Sequence, residues 1–180
     1  MKKTAVLLYP QFSEYELTTA LSILMQGGKS ISVIALTKEG VKGEAGLTCV
    51  ADETIDQVNY QEFDSLLLTG CMDIASVVEN EKYIEFVQKI ANQANFVIAS
   101  ISSSPMLLAK AGLLKGKKYT VGLLAEHREQ CGLFDDANYV EDLVVQDGNV
   151  ITAWGSGFIQ WGALFGKVVK VEFEEAWYRD

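Results

Sequence analysis

The chain has 180 residues, 49% of them hydrophobic and 22% charged, and its 24 acidic against 15 basic side chains give a formal charge of −9. This length and apolar content predict one domain over residues 1–180 with a single large core, and they exclude a disordered chain. The negative charge argues against nucleic acid and against an anionic membrane surface as partners.

Signals for targeting and for metal binding are weak in this sequence. The apolar run of residues 5–9 stops at Pro10, which makes it too short for a signal peptide or a spanning helix. The three cysteines are widely spaced and form no CxxC pair, as is typical of a reducing compartment, so we expect a cytoplasmic protein. Because His127 is the one histidine and no GxGxxG or Walker A pattern follows a strand, we predict neither a metal site nor a cofactor.

The first 36 residues contain the pattern of a βαβ unit. Residues 3–9 form a short apolar run, residues 14–26 have apolar side chains at helical spacing, and residues 30–36 form a second apolar run. Strand, helix and strand in this order predict a right-handed parallel crossover. The same reasoning predicts short edge strands within residues 40–52, buried strands at 63–69 and 96–101, and a helix at 79–94.

The second half of the chain continues the alternation less regularly. We predict a short helix from Pro105 to Gly112, a strand at 118–121, an irregular charged stretch at 122–138, a hairpin of 139–145 with 150–153, and an amphipathic helix at 157–178. Gly162 and Gly166 on the last helix would allow close packing against the sheet. The element order predicts a three-layer α/β/α sandwich, flavodoxin-like, with a mostly parallel sheet and a late β-hairpin.

Functional sites in open parallel sheets form at the carboxyl ends of the strands. Residues 10–16, 69–72 and 99–105 lie at such ends, and the last of these runs from a buried strand directly into a helix with proline in its first turn. This is the pattern of a nucleophile elbow, in which the residue at the turn has strained backbone angles. Serines at a helix start also cap the helix, and that second interpretation of Ser102, Ser103 and Ser104 stays open.

The turn IASISSSP, the segment FSEYELT, the late ITAWGSG and the order of elements together resemble the ThiJ/PfpI (DJ-one) family of the class I glutamine amidotransferase-like fold. In that family the elbow carries a reactive cysteine, and here Ser102 stands at its place. The resemblance matches Glu16 to the family's helix-one glutamate and matches Gly70 and Cys71 to a Gly-Gly pair that supplies oxyanion donors. The family's histidine would fall near Gly122.

The resemblance implies a small-molecule partner and a homodimer, and the missing cysteine and histidine imply a small-molecule-binding or stress-response protein. The alternative is a hydrolase or lyase acting on a small carbonyl or amide substrate, with Ser102 or Cys71 working beside Glu16. Glutamine amidotransferase-type activity is the third and least favoured. We expect Gly70, Cys71, Ser103 and Trp154 to line the ligand site, and Cys71, close to helix N-termini, to be the most reactive thiol.

Overall fold

The computed structural model describes residues 2–179. Its strands are β1 (Lys3–Leu7), β2 (Ile31–Ala35), β3 (Val41–Lys42), β4 (Thr48–Cys49), β5 (Glu53–Thr54), β6 (Phe63–Leu68), β7 (Val97–Ile101), β8 (Val144–Asp147) and β9 (Val150–Ala153). Its helices are α1 (Glu14–Gln26), α2 (Ile74–Glu79), α3 (Glu81–Ala91), α4 (Pro105–Lys110), α5 (Ala125–Cys131) and α6 (Phe158–Val168).

Among these residues, seven strands form one sheet in the order β5-β2-β1-β6-β7-β9-β8. All neighbours pair in parallel except β8, which runs antiparallel to β9 as the predicted hairpin. Strands β3 and β4 form a separate antiparallel ribbon. The predicted βαβ unit and the mostly parallel flavodoxin-like sheet are confirmed. The order reverses direction at β1, so the carboxyl ends of β1 and β6 flank the topological switch point.

Both faces of the sheet are covered, which explains why its strands are apolar without alternation. Leu66 and Leu68 face the core under α2, α3 and α4, while Leu67 between them faces the core under α1 and α6. All three side chains are fully buried. Burial of each leucine contributes roughly 1.5–3 kcal/mol, so the layers are stabilised from both sides of β6.

Several element predictions in the second half of the chain are wrong. Residues 118–121 form no strand, because Thr120 donates its N–H to the side chain of Thr152 and only Tyr119 makes a single bridge, to Tyr139. The last helix ends at Val168, because Lys170 adopts a left-handed φ of 59° that stops it. The acidic residues that follow would be unfavourable at the end of a longer helix.

Two further helices were missed. Residues 122–138, predicted to be irregular, contain α5. A separate helix, α2, precedes α3, and Asn80 divides the two because its side chain accepts the N–H of Lys82 at the start of α3. The helices of residues 2–179 include none with the length and apolarity needed to cross a membrane.

The small residues of α6 pack against α1. The sequence predicted that they would pack against the sheet, and that prediction is wrong. A β-carbon added at Gly166 would lie 2.6 Å from Cγ2 of Ile23, and one at Gly162 would lie 3.3 Å from Cδ1 of the same residue. These glycines therefore let the two helices approach closely on one face of the sheet.

Arg128 on α5 holds the loop between α4 and α5 in place. Its side chain is buried, with Nε 3.0 Å from the Asp136 carboxylate and the guanidinium 3.7 Å from the centre of the Tyr139 ring. Nη1 also donates to the carbonyl of Leu123 at 2.9 Å. Such charge-assisted bonds fix the loop that carries Gly122 to the neighbourhood of β7.

Candidate functional site

The turn between β7 and α4 places Ser102 at the carboxyl edge of the sheet in a strained backbone conformation. Its φ is 62°, a left-handed value that costs a residue with a side chain roughly 1–3 kcal/mol. Two backbone bonds maintain it: the N–H of Ser102 donates to Ala153 at 2.8 Å, and its carbonyl accepts the N–H of Gly122 at 2.7 Å. The strain predicted for Ser102 is confirmed.

Glu16 reaches the same point from the first turn of α1. It is 1% exposed, and its Oε2 accepts the N–H of Gly70 at 2.7 Å. Oε1 accepts the hydroxyl of Tyr15 at 3.2 Å, and the side chain of Ser102 lies beside the same carboxyl group, where it acts to lower the pKa of Glu16. The structure therefore brings together the predicted site residues Glu16, Ser102 and Gly70.

The electrostatics of Glu16 follow from its burial. Removal from water raises the pKa of the Glu16 carboxyl above its usual value of 4.5, and this outweighs the opposing hydrogen bonds from Gly70, Ser102 and Tyr15. The neutral form is therefore favoured more than in water. A neutral carboxyl can donate one hydrogen bond as well as accept, whereas the ionised form only accepts.

Glycines from separate segments surround the Ser102 side chain. A β-carbon at Gly70 would lie 2.7 Å from both Cβ and Oγ of Ser102, and one at Gly122 would lie 3.1 Å from its Cα. A β-carbon at Gly155 would lie 3.0 Å from Oε1 of Glu16 and 3.3 Å from Oγ of Ser102. The backbones of three segments can approach Ser102 this closely only because these residues lack side chains.

The two serines after Ser102 bond to the ends of β6 and β7. Oγ of Ser103 accepts the N–H of Cys71 at 3.2 Å and lies 3.4 Å from its carbonyl. Oγ of Ser104 accepts the N–H of Ile101 at 2.9 Å, is buried, and makes no cap bond to α4. The capping interpretation is therefore wrong for Ser104, whereas ligand binding by Ser103, whose hydroxyl bonds to Cys71, stays a prediction.

The backbone donors expected at residues 70 and 71 are also occupied. The N–H of Gly70 donates to Glu16, and the N–H of Cys71 donates to Ser103. The expectation that this pair supplies free oxyanion donors is wrong, because polar side chains of α1 and of the β7–α4 turn accept both bonds.

Residues 2–164 of the chain match the sequence model of the DJ-1/PfpI family. The chain belongs to the DJ-1/PfpI family. Deglycase PfpI of Pyrococcus furiosus is 30% identical over 89% of this chain and 95% of that protein. An uncharacterized protein of Methanocaldococcus jannaschii is 32% identical over 97% of this chain and 85% of its own length.

One solved structure extends this similarity to the fold. It is a two-domain protein from Anabaena variabilis that contains DJ-1/ThiJ/PfpI-like and ferritin-like domains, and it superimposes with a TM-score of 0.85 at 25% identity. The match covers all of this chain and 50% of that one, so the chain spans half the length of this relative.

Cys71 differs from the reactive thiol predicted at this end of β6. Burial raises its pKa to about 12, and the charge interactions of its thiolate with Tyr9 and Tyr83 show that it lies toward these two phenols. Helix N-termini shift a pKa by about one unit, which is too little to offset this desolvation. The raised pKa argues against activation of Cys71, and which of the three cysteines reacts fastest stays a prediction.

The other predicted positions lie at the margins of this DJ-1/PfpI site. Trp154 follows β9 and is partly buried, but Gly155 beside it is the residue that approaches Glu16 and Ser102. His127 lies on α5 with an exposed side chain. Over residues 2–179, His, Cys, Asp and Glu side chains form no cluster that could hold a metal ion.

Sequence reasoning missed the contributions of Gly122 and Gly155. Both follow predicted strands at the carboxyl edge, and a glycine at that place is the signal that could have identified them. Tyr15 also contributes to this site: its hydroxyl donates to Glu16, and its ring packs edge-to-face on Phe158 with ring centres 5.2 Å apart.

Proposed function

We propose that this DJ-1/PfpI protein is a stress-response protein that binds a small polar molecule at Ser102 and Glu16 without the thiol chemistry of its family. The observation that carries the proposal is the juxtaposition of the Ser102 side chain and the buried Glu16 carboxyl beside Gly70 and Gly155, at the position where the family resemblance expects a reactive cysteine. A hydroxyl and a carboxyl of raised pKa offer both donors and acceptors to a ligand.

Nucleophilic attack by Ser102 is disfavoured by the proton that it must lose. A serine hydroxyl ionises far above neutral pH and needs an adjacent base that accepts its proton in the transition state. Burial raises the pKa of Glu16, but a carboxylate remains many units less basic than an alkoxide. The chain's histidine, His127, is exposed on α5 and is bonded to none of these groups.

The backbone around the pair supports binding of a compact ligand. Gly70, Gly122 and Gly155 bring three backbone segments so close to Ser102 that an added β-carbon would lie 2.7 to 3.3 Å from one of its atoms, so only a compact ligand could reach the hydroxyl. Tyr15, about half exposed, presents an aromatic edge beside the same carboxyl group. A ligand with a hydroxyl or carbonyl group fits this combination of small apolar surface and directional polar groups.

A second candidate is deglycase-type or related hydrolase or lyase activity on a small carbonyl or amide substrate. It is favoured by the relative named Deglycase PfpI and by the left-handed turn at Ser102, which resembles a nucleophile elbow. In this case Ser102 attacks the carbonyl and Glu16 receives its proton.

Turnover separates the two candidates. Consumption of methylglyoxal, a p-nitrophenyl ester and an anilide is measured for the natural protein, Ser102→Ala and Ser102→Cys. We expect the natural protein and Ser102→Ala to be equally slow, and Ser102→Cys to gain a thiol that iodoacetamide alkylates faster than Cys71. Robust natural activity that disappears in Ser102→Ala would instead establish the serine enzyme.

Binding is tested with hydroxyacetone, a small stable molecule that carries both a hydroxyl and a carbonyl group. We expect it to shift the amide NMR signals of Gly70, Gly122 and Gly155, with about fivefold weaker binding in Ser102→Ala because one hydrogen bond of roughly 1 kcal/mol is lost. No shift at millimolar concentration, or the same affinity in both proteins, would contradict a binding role for Ser102.

A further inference from the structure

A cavity of about 740 Å³ lies at the carboxyl ends of β1 and β2, and neither Ser102 nor Glu16 lines it. Its size is within the range of small-molecule sites, roughly 300–1,000 Å³. The β3–β4 ribbon forms one wall and α3 contributes Tyr83 to another. It is lined by Pro10, Gln11, Ala35, Leu36, Thr37, residues 39–44, Met72 and Tyr83.

The two sites are separated by a short zipper between residues 11–13 and 70–72. Phe12 and Cys71 form an antiparallel bridge, and the N–H of Met72 donates to the carbonyl of Gln11 at 3.3 Å. The N–H of Ser13 donates to the carbonyl of Gly70 at 2.9 Å. This zipper closes the crevice at the switch point, so that Glu16 and Ser102 line neither this cavity nor the smaller one beside it.

Gln11, at the edge of the cavity, carries backbone strain that the Ser102 site does not explain. Its φ is 61°, and its N–H donates to the carbonyl of Lys42 at 2.7 Å. A left-handed residue other than glycine or asparagine is unfavourable and is maintained where surrounding structure requires it. The bond from Gln11 to Lys42 attaches the β3–β4 ribbon to the end of β1 and so fixes the width of the cavity.

The surface inside combines apolar side chains with an excess of negative charge at the rim. A smaller cavity of about 210 Å³ shares Pro10, Gln11, Leu36 and Tyr83 with the first, and it adds Asp73. The charged groups lining the two cavities are the carboxylates of Glu39, Glu44 and Asp73 and the ammonium group of Lys42.

We propose that this cavity binds a small amphipathic amine, with its apolar part against Pro10, Leu36 and Tyr83 and its ammonium group at the Glu39 and Glu44 rim. The lining of this cavity holds two carboxylates, Glu39 and Glu44, against the one ammonium group of Lys42, which favours a cation over an anion of the same shape. The Tyr83 phenol stays neutral, because burial raises its pKa to about 12, so the floor of the cavity carries no competing charge.

The test uses three probes that share a phenol ring and differ in charge: tyramine, tyrosol and 3-(4-hydroxyphenyl)propionate. Titration is followed by calorimetry and by the amide signals of Leu36 and Gly40. We expect tyramine to bind tightest and the propionate weakest, with the tyramine affinity falling as salt is added. Equal or tighter binding of the propionate, or no binding of any probe at millimolar concentration, would overturn the proposal.

Variants locate the binding and keep it distinct from the Ser102 site. Glu39→Gln/Glu44→Gln should weaken tyramine roughly three- to tenfold while leaving tyrosol unchanged, because only the charge interaction is removed. Leu36→Trp should block both probes by filling the cavity. Ser102→Ala should leave tyramine binding as in the natural protein. Loss of tyramine binding in Ser102→Ala would assign the amine to the Ser102 site and overturn the proposal.

Discussion

At the scale of single residues, the left-handed backbone of Ser102 makes a prediction about two substitutions that both remove its hydroxyl. Ser102→Gly should be more stable than Ser102→Ala by about 1 kcal/mol, because glycine adopts a positive φ without the steric cost of a β-carbon. Urea unfolding measures the difference. At Ser103, whose φ is negative, alanine should be at least as stable as glycine, and the same order at both positions would contradict the assigned strain.

Two buried glutamates in the first turn of α1 have pKa values shifted in opposite directions, so we expect opposite effects of pH on stability. Burial raises the pKa of Glu16, so the folded protein holds a proton that the unfolded chain has lost, and stability should fall as pH rises from about 4.5 through the folded pKa. Relative to Glu16→Gln, the natural protein should lose ~1.4 kcal/mol for each unit by which that pKa is raised. Urea midpoints between pH 4 and 8 measure this, and parallel profiles would contradict it.

Glu14 serves as the matched control. Burial also acts to raise its pKa, but backbone N–H groups, including those of Ala45 and Leu47, outweigh burial and hold the pKa below its usual value of 4.5. Stability from Glu14 is therefore present above about pH 4.5 and lost as pH falls through the folded pKa. Glu14→Gln should therefore remove the loss of stability that the natural protein shows as pH falls below about 4.5. Glu16→Gln should leave that loss in place.

Which residues meet at the site was predictable, but their hydrogen-bond partners were not. The turn pattern and the family resemblance together indicated Ser102, Glu16 and Gly70, and the structure brings these side chains and backbone groups together. The N–H of Cys71 is occupied by Ser103, and the pKa of its thiol is raised mainly by burial, which residues distant in sequence bring about. No local pattern specifies contacts of that kind.

At the scale of elements, β6 approaches the β7–α4 turn closely. We therefore predict that substitutions of Gly70 and Ser102 have coupled effects on the free energy of unfolding. Gly70→Ala should cost about 1–3 kcal/mol, because its β-carbon would lie 2.7 Å from Cβ and Oγ of Ser102. In a Ser102→Gly background both of those atoms are gone, so the cost should shrink by at least about 0.5 kcal/mol. Thermal or urea unfolding of the natural protein, the two single variants and the double variant measures this coupling.

Gly162→Ala supplies the control for this cycle, since its β-carbon would meet Ile23 at 3.3 Å between α1 and α6. Its cost should be the same with serine or glycine at residue 102. If Gly70→Ala cost the same in both backgrounds as well, the contact between β6 and the turn would not be the source of the effect.

Elements covered on both faces were the ones that the sequence predicted best. Strands β1 and β6 are apolar without alternation in their carboxyl-terminal halves, because helices cover both sides of the sheet. The segment at 118–121 has similar composition, yet its bonds go to Thr152 and to residues 138–140 instead of a strand. Its backbone partners, not its side chains, decide its conformation, and those partners are set by tertiary structure.

At the scale of the whole molecule, apolar surface left uncovered by the chain supports the prediction of a homodimer. Several large hydrophobic side chains are more than half exposed: Met25, Leu47, Val50, Met72, Leu124 and Trp177. Covering such residues would stabilise association. Light scattering at micromolar concentration should give twice the mass of one chain, independent of dilution over a tenfold range, and the mass of a single chain would contradict the prediction.

The bond from Ser102 to Ala153 has a consequence for synthesis of the protein. The acceptor is translated roughly 50 residues after the donor, a delay of about 3 to 10 s at ordinary elongation rates. Until then β7 is an edge strand without β9, and nothing on that side holds the left-handed conformation of Ser102. A chain that ends before residue 150 keeps the bond from Gly122 to Ser102 but lacks the bond from Ser102 to Ala153, so both bonds that maintain the left-handed turn exist only once β9 has been made.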